Sequence, residues 1–291
     1  MVNSPVEQFT FDDNRVNWIF FIKLCGVRVN GKEIKSKIVV ANCDPYNTYF
    51  KLLTDLQRSR YLDKETASKL ERIDYKSPVC KINLIVNKLP MFKCLENLHQ
   101  NDPIKNENIA LNYLTGTIHM NSESMDQIEV AYNEAMTGIP SKHPIIEMTI
   151  PSVLDKSLVP ESSGHHVIGL FTQYAPTNLK NGQWDDKTKR EYVQSIYRDI
   201  DKYCEGFSSS ILFEDILCPK DLEDEFSLTG GSIFHGALDI NSLYFCRPVV
   251  GSSSYESKIN NLFSCSSGMH PGGGIMGAVG RNCAIEILKK V

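Results

Sequence analysis

Six glycines stand within the thirteen positions from Gly268 to Gly280, and no other stretch of the chain limits its fold as tightly. A run of this kind lets backbone approach a ligand closely, because no Cβ intervenes. The apolar Leu262 to Cys265 before it reads as a strand, and Ala278 to Lys290 after it reads as a helix. A strand, a glycine-rich turn and a helix N-terminus with unpaired amides together make a site suited to anions. Gly272-x-Gly274-x-x-Gly277 also has the spacing of the dinucleotide fingerprint. That fingerprint opens a βαβ unit and needs an acidic residue about 20 positions onward. Here the sequence ends at Val291, so the expectation is a segment that closes a fold and shares any cofactor with another segment.

The 291 residues are 42% apolar and 23% charged, enough to bury the core of one large domain or two modest ones. The formal charge of −4 lacks the basic excess of a nucleic-acid binder, and no nucleic-acid partner is expected. The apolar run Trp18 to Ile22 falls far short of the roughly 18 residues of a membrane helix. Nine cysteines are scattered with no C-x-x-C pair, which reads as free thiols in a reducing compartment. No signal peptide is visible, and Glu7, Asp12 and Asp13 break the acid-poor pattern of a transit peptide.

Met1 to Asn17 reads as polar and irregular. Leu24 to Val29 and Ile34 to Ala41 read as a hairpin turning at Asn30-Gly31, with Ile38 to Ala41 apolar enough for burial on both faces. Helices are expected over Tyr46 to Leu56, Lys64 to Ile73, Met125 to Met136, Thr188 to Tyr203 and Ala278 to Lys290. Strands are expected over Val79 to Val86, Ile145 to Ile150, His165 to Tyr174, Leu212 to Leu217, Ser242 to Cys246 and Leu262 to Cys265, with Lys88 to Asn112 a polar loop. Without strict βαβ alternation, this is a mixed α+β (α/β) class with antiparallel character between Ser77 and Leu217.

Several of these stretches also carry a resemblance. His270-Pro271-Gly272-Gly273-Gly274 with Gly277-Ala278-Val279-Gly280-Arg281-Asn282 resembles the C-terminal FAD motif of the phytoene dehydrogenase-like flavoproteins, within the amine oxidase superfamily. Tyr75 to Asn83, Glu147 to Ser157, Phe171 to Pro176, Gly230 to Gly236 and Arg247-Pro248 agree with that family as well. The resemblance runs from about Gly26 to Val291 and matches the family's C-terminal half, without its N-terminal GxGxxG segment. It implies an incomplete, discontinuous FAD-binding domain and a substrate domain whose antiparallel sheet floors a cavity. The corresponding division is a divergent leader over 1–23, FAD-domain pieces over 24–60 and 239–291, and the substrate domain over 61–238.

The resemblance further implies an FAD-dependent oxidoreductase of dehydrogenase, desaturase or amine-oxidase type acting on an apolar small molecule. The alternative is a non-catalytic mitochondrial regulatory or interaction protein that keeps the fold. A mitochondrial matrix location and a mitochondrial protein partner follow from the family, and these 291 residues alone are expected to be inactive. The cofactor-binding set is Ser267, Gly268, His270, Gly272, Gly273, Gly274, Ile275, Met276, Gly277 and Ala278, acting chiefly through main-chain amides at the helix start. Ser266 and Ser267 stand where many relatives carry an acid that bonds the ribityl chain.

His270, His235 and Arg247 are the titratable or charged candidates for a catalytic role. His270 either faces the flavin or shapes the turn before Pro271, and His235 either faces the cavity or packs in the core. Arg247 either bonds substrate or cofactor or pairs with an acid. His165-His166 has no third ligand at a metal-site spacing, and no metal is expected.

Overall fold

The computed structural model describes residues 3–16, 19–95 and 111–290. The polypeptide forms two compact units: one joins the residues up to Lys76 to those from Ser227 onward, and the other runs from Ser77 to Phe226. The chain crosses between units at Lys76/Ser77 and Phe226/Ser227, against the 60/61 and 238/239 drawn from the sequence.

In the first unit, β1 (Val6–Val16), β2 (Ile19–Val29) and β3 (Lys32–Lys35) form an antiparallel meander. The leader expected to be irregular is therefore a strand, with Phe9 buried in the core beside Leu24. The β2–β3 turn falls on Asn30-Gly31, both at positive φ, as the dipeptide requires. The expected returning strand divides. β3 ends at Lys35, and β4 (Val39–Ala41) pairs in parallel with β10 (Leu262–Ser264). Ser36 makes the break, its hydroxyl donating to the Ile38 carbonyl at 2.6 Å. Val40 is 45% exposed, so the apolar run is not buried on both faces.

Tyr46 to Leu56 is not one helix. A wide helical turn at Asn47–Lys51 is followed by α1 (Asp55–Tyr61), and Thr54 and Gln57 close a reciprocal capping box between them. Next comes α2 (Lys64–Glu71), capped by Asp63. Tyr49, Leu53, Leu62, Leu70, Ile259 and Leu262 share the core of this unit.

The second unit is built on a five-stranded antiparallel sheet in the order β6-β7-β8-β5-β9. Its strands are β5 (Val79–Val86), β6 (Ile118–Met120), β7 (Ile145–Thr149), β8 (His166–Gln173) and β9 (Ile211–Leu217). Alternate residues of β5, Cys80, Ile82, Leu84 and Val86, are fully buried, while Lys81, Asn83 and Ile85 are half-buried. This period of two is what one covered sheet face dictates. The cover is α4 (Asp186–Tyr203), whose Tyr192, Val193, Ile196 and Ile200 join that core. Asp185 caps α4 by accepting from the Thr188 amide at 2.8 Å. The shorter α3 (Met125–Met136) and α5 (Pro219–Phe226) complete the unit. The expected polar loop from Lys88 to Asn112 lies largely outside the described residues.

Candidate functional site

The glycine-rich loop leaves β10 at Ser264 and enters α6 (Ala278–Leu288) through Gly277, which sits at φ 64°. Its first part is buried. Ser266 folds back so that its hydroxyl accepts from the Gly268 amide at 3.2 Å, and Met269 is packed in. Gly268 lies against Pro45, whose ring Cδ would stand 2.6 Å from an added Cβ. Gly273 faces the Phe234 ring at 2.2 Å by the same measure. These two glycines are thus required by protein neighbours, whereas Gly274 and Gly277 take left-handed φ values of 112° and 64° that favour glycine.

Arg247 anchors the loop from outside. Its Nε donates to the Ser267 carbonyl at 2.9 Å, and its Nη1 donates to the carbonyls of Ala237 at 3.0 Å and Ser242 at 3.3 Å. Its Nη2 donates to the carbonyls of Phe234 and Gly236. These hydrogen bonds of the buried guanidinium all go to main-chain carbonyls, so its described role is to hold backbone. The same bonds explain why Ser242 to Cys246 is a pair of tight turns rather than a strand: the fork holds the chain on both sides of Tyr244, which is at φ 50°.

His270 and His235 both border the loop. The His270 carbonyl accepts from the Tyr255 hydroxyl at 2.7 Å, and Asn282 of α6 donates to that hydroxyl at 2.9 Å. The Nδ1 atoms of His270 and His235 are buried with no hydrogen-bond partner among the described residues. Burial pushes the His235 imidazole below its usual pKa and Arg247 adds to this, against an opposing pull from Asp44.

The Asp44 cluster carries no motif. Its carboxylate accepts from the Asn47 amide at 2.7 Å, the Asn47 side chain at 2.6 Å and the Thr229 amide at 3.2 Å, stitching the start of the 227–291 segment to the turn after β4. The one local signal for it was the Asp-Pro turn at Asp44-Pro45.

Ahead of α6 the surface turns apolar and open. Ile275, Met276, Tyr244, Phe245 and Ile240 are exposed large apolar side chains. The amides of Ala278, Val279 and Gly280 precede the first helical hydrogen bond, from the Arg281 amide to the Gly277 carbonyl at 3.0 Å. Among the described residues no side chain caps this end, and no acid lies in its first turn. An uncapped helix end that follows the exposed apolar side chains of Ile275 and Met276 suits a flat, largely apolar group with a polar, electron-rich edge. A flavin has that chemistry, and these residues fit it.

Comparison with known proteins extends this geometry. The chain is 40% identical over 255 residues, 87% of its length, to the rat pyridine nucleotide-disulfide oxidoreductase domain-containing protein 2, and 39% identical over 261 residues to the mouse protein of that name. These proteins are its homologues. The chain spans 42% and 43% of the length of these two relatives. A 148-residue stretch is 28% identical to 4,4'-diapophytoene desaturase (4,4'-diaponeurosporene-forming) of Staphylococcus aureus, covering 49% of this chain and 28% of that one. The crystal structure of an oxidoreductase from Methanosarcina mazei superimposes on 98% of the chain and 49% of its own, with a TM-score of 0.52 at 12% identity, which speaks for the fold. No protein-family model matches the chain. The fold is of the mixed α+β class and is shared over this portion with the Methanosarcina mazei protein.

Proposed function

We propose that the chain carries the closing part of the flavin site of an FAD-dependent oxidoreductase, of the dehydrogenase, desaturase or amine-oxidase type, acting on an apolar small molecule. The observation that supports it best is the start of α6, uncapped, free of acids and reached through an open glycine at position 277. FAD, when bound, supplies the acceptor for a hydride from the substrate. The amides of Ala278 to Gly280 and the helix dipole favour negative charge brought to that point. Ile275 and Met276 present apolar surface that excludes water. The desaturase named among the similar proteins favours an apolar substrate.

The test is titration of the purified protein with FAD, followed by flavin fluorescence. For these 291 residues alone, weak saturable binding of added FAD is expected, and Gly277→Asp is expected to weaken it at least tenfold. The variant places a carboxylate where the helix end attracts negative charge, in space that no described residue enters within 4 Å. The left-handed φ of 64° makes any non-glycine residue here cost about 1 kcal/mol, so Gly277→Asn, which carries that strain without the charge, is the control and should keep its FAD. Purified protein that takes up no flavin, or a variant that binds FAD as tightly as wild type, overturns the reading.

A further inference from the structure

Two buried thiols stand together in the second unit. The sulfur atoms of Cys80 and Cys218 are 3.5 Å apart, and both residues are fully buried. The β5–β9 register pairs Lys81 with Leu217 and Ile82 with Ile216, so one step outward sets Cys80 directly opposite Cys218. The Cys218 amide donates to the Asp221 carboxylate at 2.9 Å, and the Cys80 carbonyl takes the Thr172 hydroxyl at 3.1 Å. The two residues therefore face each other as a non-hydrogen-bonded antiparallel pair, the kind in which Cα atoms approach to about 4.5 Å. That spacing lies within the range a disulfide spans, and each sulfur need move less than about 1 Å to reach bonding distance.

The position in the chain adds to the geometry. Cys80 lies just after the chain enters the second unit at Ser77, and Cys218 lies just before α5, from which the chain leaves at Phe226. A bond between residues 138 positions apart would close almost the whole unit at its two crossings.

We propose that Cys80 and Cys218 form a reversible dithiol–disulfide clasp that locks the exit strand β9 to the entry strand β5. The oxidant is a hydroperoxide. One thiolate attacks the distal peroxide oxygen, forming the S–O bond of a sulfenic acid as the O–O bond breaks and an alkoxide leaves to take up a proton as an alcohol, or as water from hydrogen peroxide. The second thiol then displaces water to form the S–S bond, so that two thiols and one hydroperoxide give one disulfide, one alcohol and one water. Two electrons pass from the sulfurs to the O–O bond. The shared S–H contact with Cys218, together with burial, keeps the Cys80 thiol protonated in the closed sheet. Oxidation accordingly proceeds when β9 opens. β9 is the edge strand and has β5 as its neighbour in the sheet. Once the bond has formed, that opening is blocked. The clasp is independent of any flavin.

The experiment treats the folded protein with hydrogen peroxide, quenches it, unfolds it and alkylates the remaining thiols for peptide mass spectrometry. Two of the nine thiols are expected to escape alkylation, in one linked peptide pair containing Cys80 and Cys218. The oxidised protein should melt roughly 5 °C or more above the reduced protein, and dithiothreitol should reverse both changes. Cys218→Ala should abolish the linked peptide and the rise in melting temperature. If that variant does not fold, the mapping on wild-type protein decides alone. Both thiols still open to alkylation, a bond that forms only in denaturant, or an oxidised protein that melts no higher would each overturn the clasp.

Discussion

The guanidinium of Arg247 and the carbonyl of Ser267, twenty residues apart, are joined at 2.9 Å. Through this bond the base of the glycine-rich loop is fixed to the turns between Phe234 and Ser242, where the same side chain reaches four further carbonyls. The arginine holds backbone to backbone and leaves the loop's outer end, from Gly274 to Gly277, free to meet a ligand.

Arg247→Ala should therefore destabilise the first unit by about 3 kcal/mol, because buried carbonyls lose their donor. Arg247→Lys should recover little of this, since an ammonium cannot reproduce a planar fork that serves carbonyls on three sides. Thermal melting of the two variants checks it. A lysine variant as stable as wild type would show that charge, not the fork, is what the site uses.

Two glycines of the loop should respond in opposite directions. Gly268→Ala drives a Cβ to 2.6 Å from the Pro45 ring, which has nowhere to move, and should cost about 1–3 kcal/mol. Gly280→Ala lies inside α6 with nothing within 4 Å, and should stabilise by up to about 1 kcal/mol through helix propensity. Urea unfolding of both variants measures the contrast, and an equal effect in each would refute it.

The parts of this fold that were legible in the sequence are those in which one local rule dominates. The alternation in Val79 to Val86 and the amphipathic stripe of Tyr192, Ile196 and Ile200 each mark a single buried face, and both elements stand where that pattern puts them. Asn30-Gly31 specified its own turn. Two of the misreadings share one cause, which is that long-range bonds outweigh local pattern. Ile34 to Ala41 reads as one strand by composition, yet β4 separates from β3 to pair with β10, more than two hundred residues away. Val6 to Val16 reads as polar leader, yet β2 supplies its ladder. Ser242 to Cys246 has strand-like residues, yet the neighbouring Arg247 side chain folds back onto the Ser242 carbonyl and the chain turns there. Within the site, the glycines announced themselves by number. The sequence could not tell that Gly268 and Gly273 serve Pro45 and Phe234, because those neighbours come from elsewhere in the chain.

Tyr255 links the loop to the helix behind it, donating to the His270 carbonyl and accepting from Asn282. Tyr255→Phe should cost about 1–2 kcal/mol, because it strands one acceptor and one donor at once. Asn282→Ala should cost less, and the double variant should be less destabilised than the sum of the two, since they share one bond. Strictly additive losses in chemical denaturation would mean that the hydroxyl does not couple loop and helix.

The final prediction is a pH dependence in the second unit. Asp199 of α4 is buried and accepts from the Asn121 side chain at 2.8 Å, His143 Nδ1 at 3.0 Å and Lys202 Nζ at 2.5 Å. Burial alone would raise its pKa, but Lys202, His143 and Asn121 together outweigh it and hold the carboxyl below its ordinary value. The unfolded chain titrates this group near 3.9, so the folded state prefers the ionised form more strongly than the unfolded state does. Its contribution to stability is therefore complete above about pH 5 and is lost as pH falls through 3.9 towards the lower folded value. In that window the unfolded chain binds a proton that the folded chain does not, which steepens the stability profile by up to about 1.4 kcal/mol per pH unit. Asp199→Asn should be less stable than wild type at pH 6, and the gap should narrow steadily as the pH is lowered below 4. Urea unfolding followed at several values between pH 6 and pH 2.5 makes the comparison. Profiles that stay parallel across that range would show that the Asp199 carboxylate does not carry the linkage.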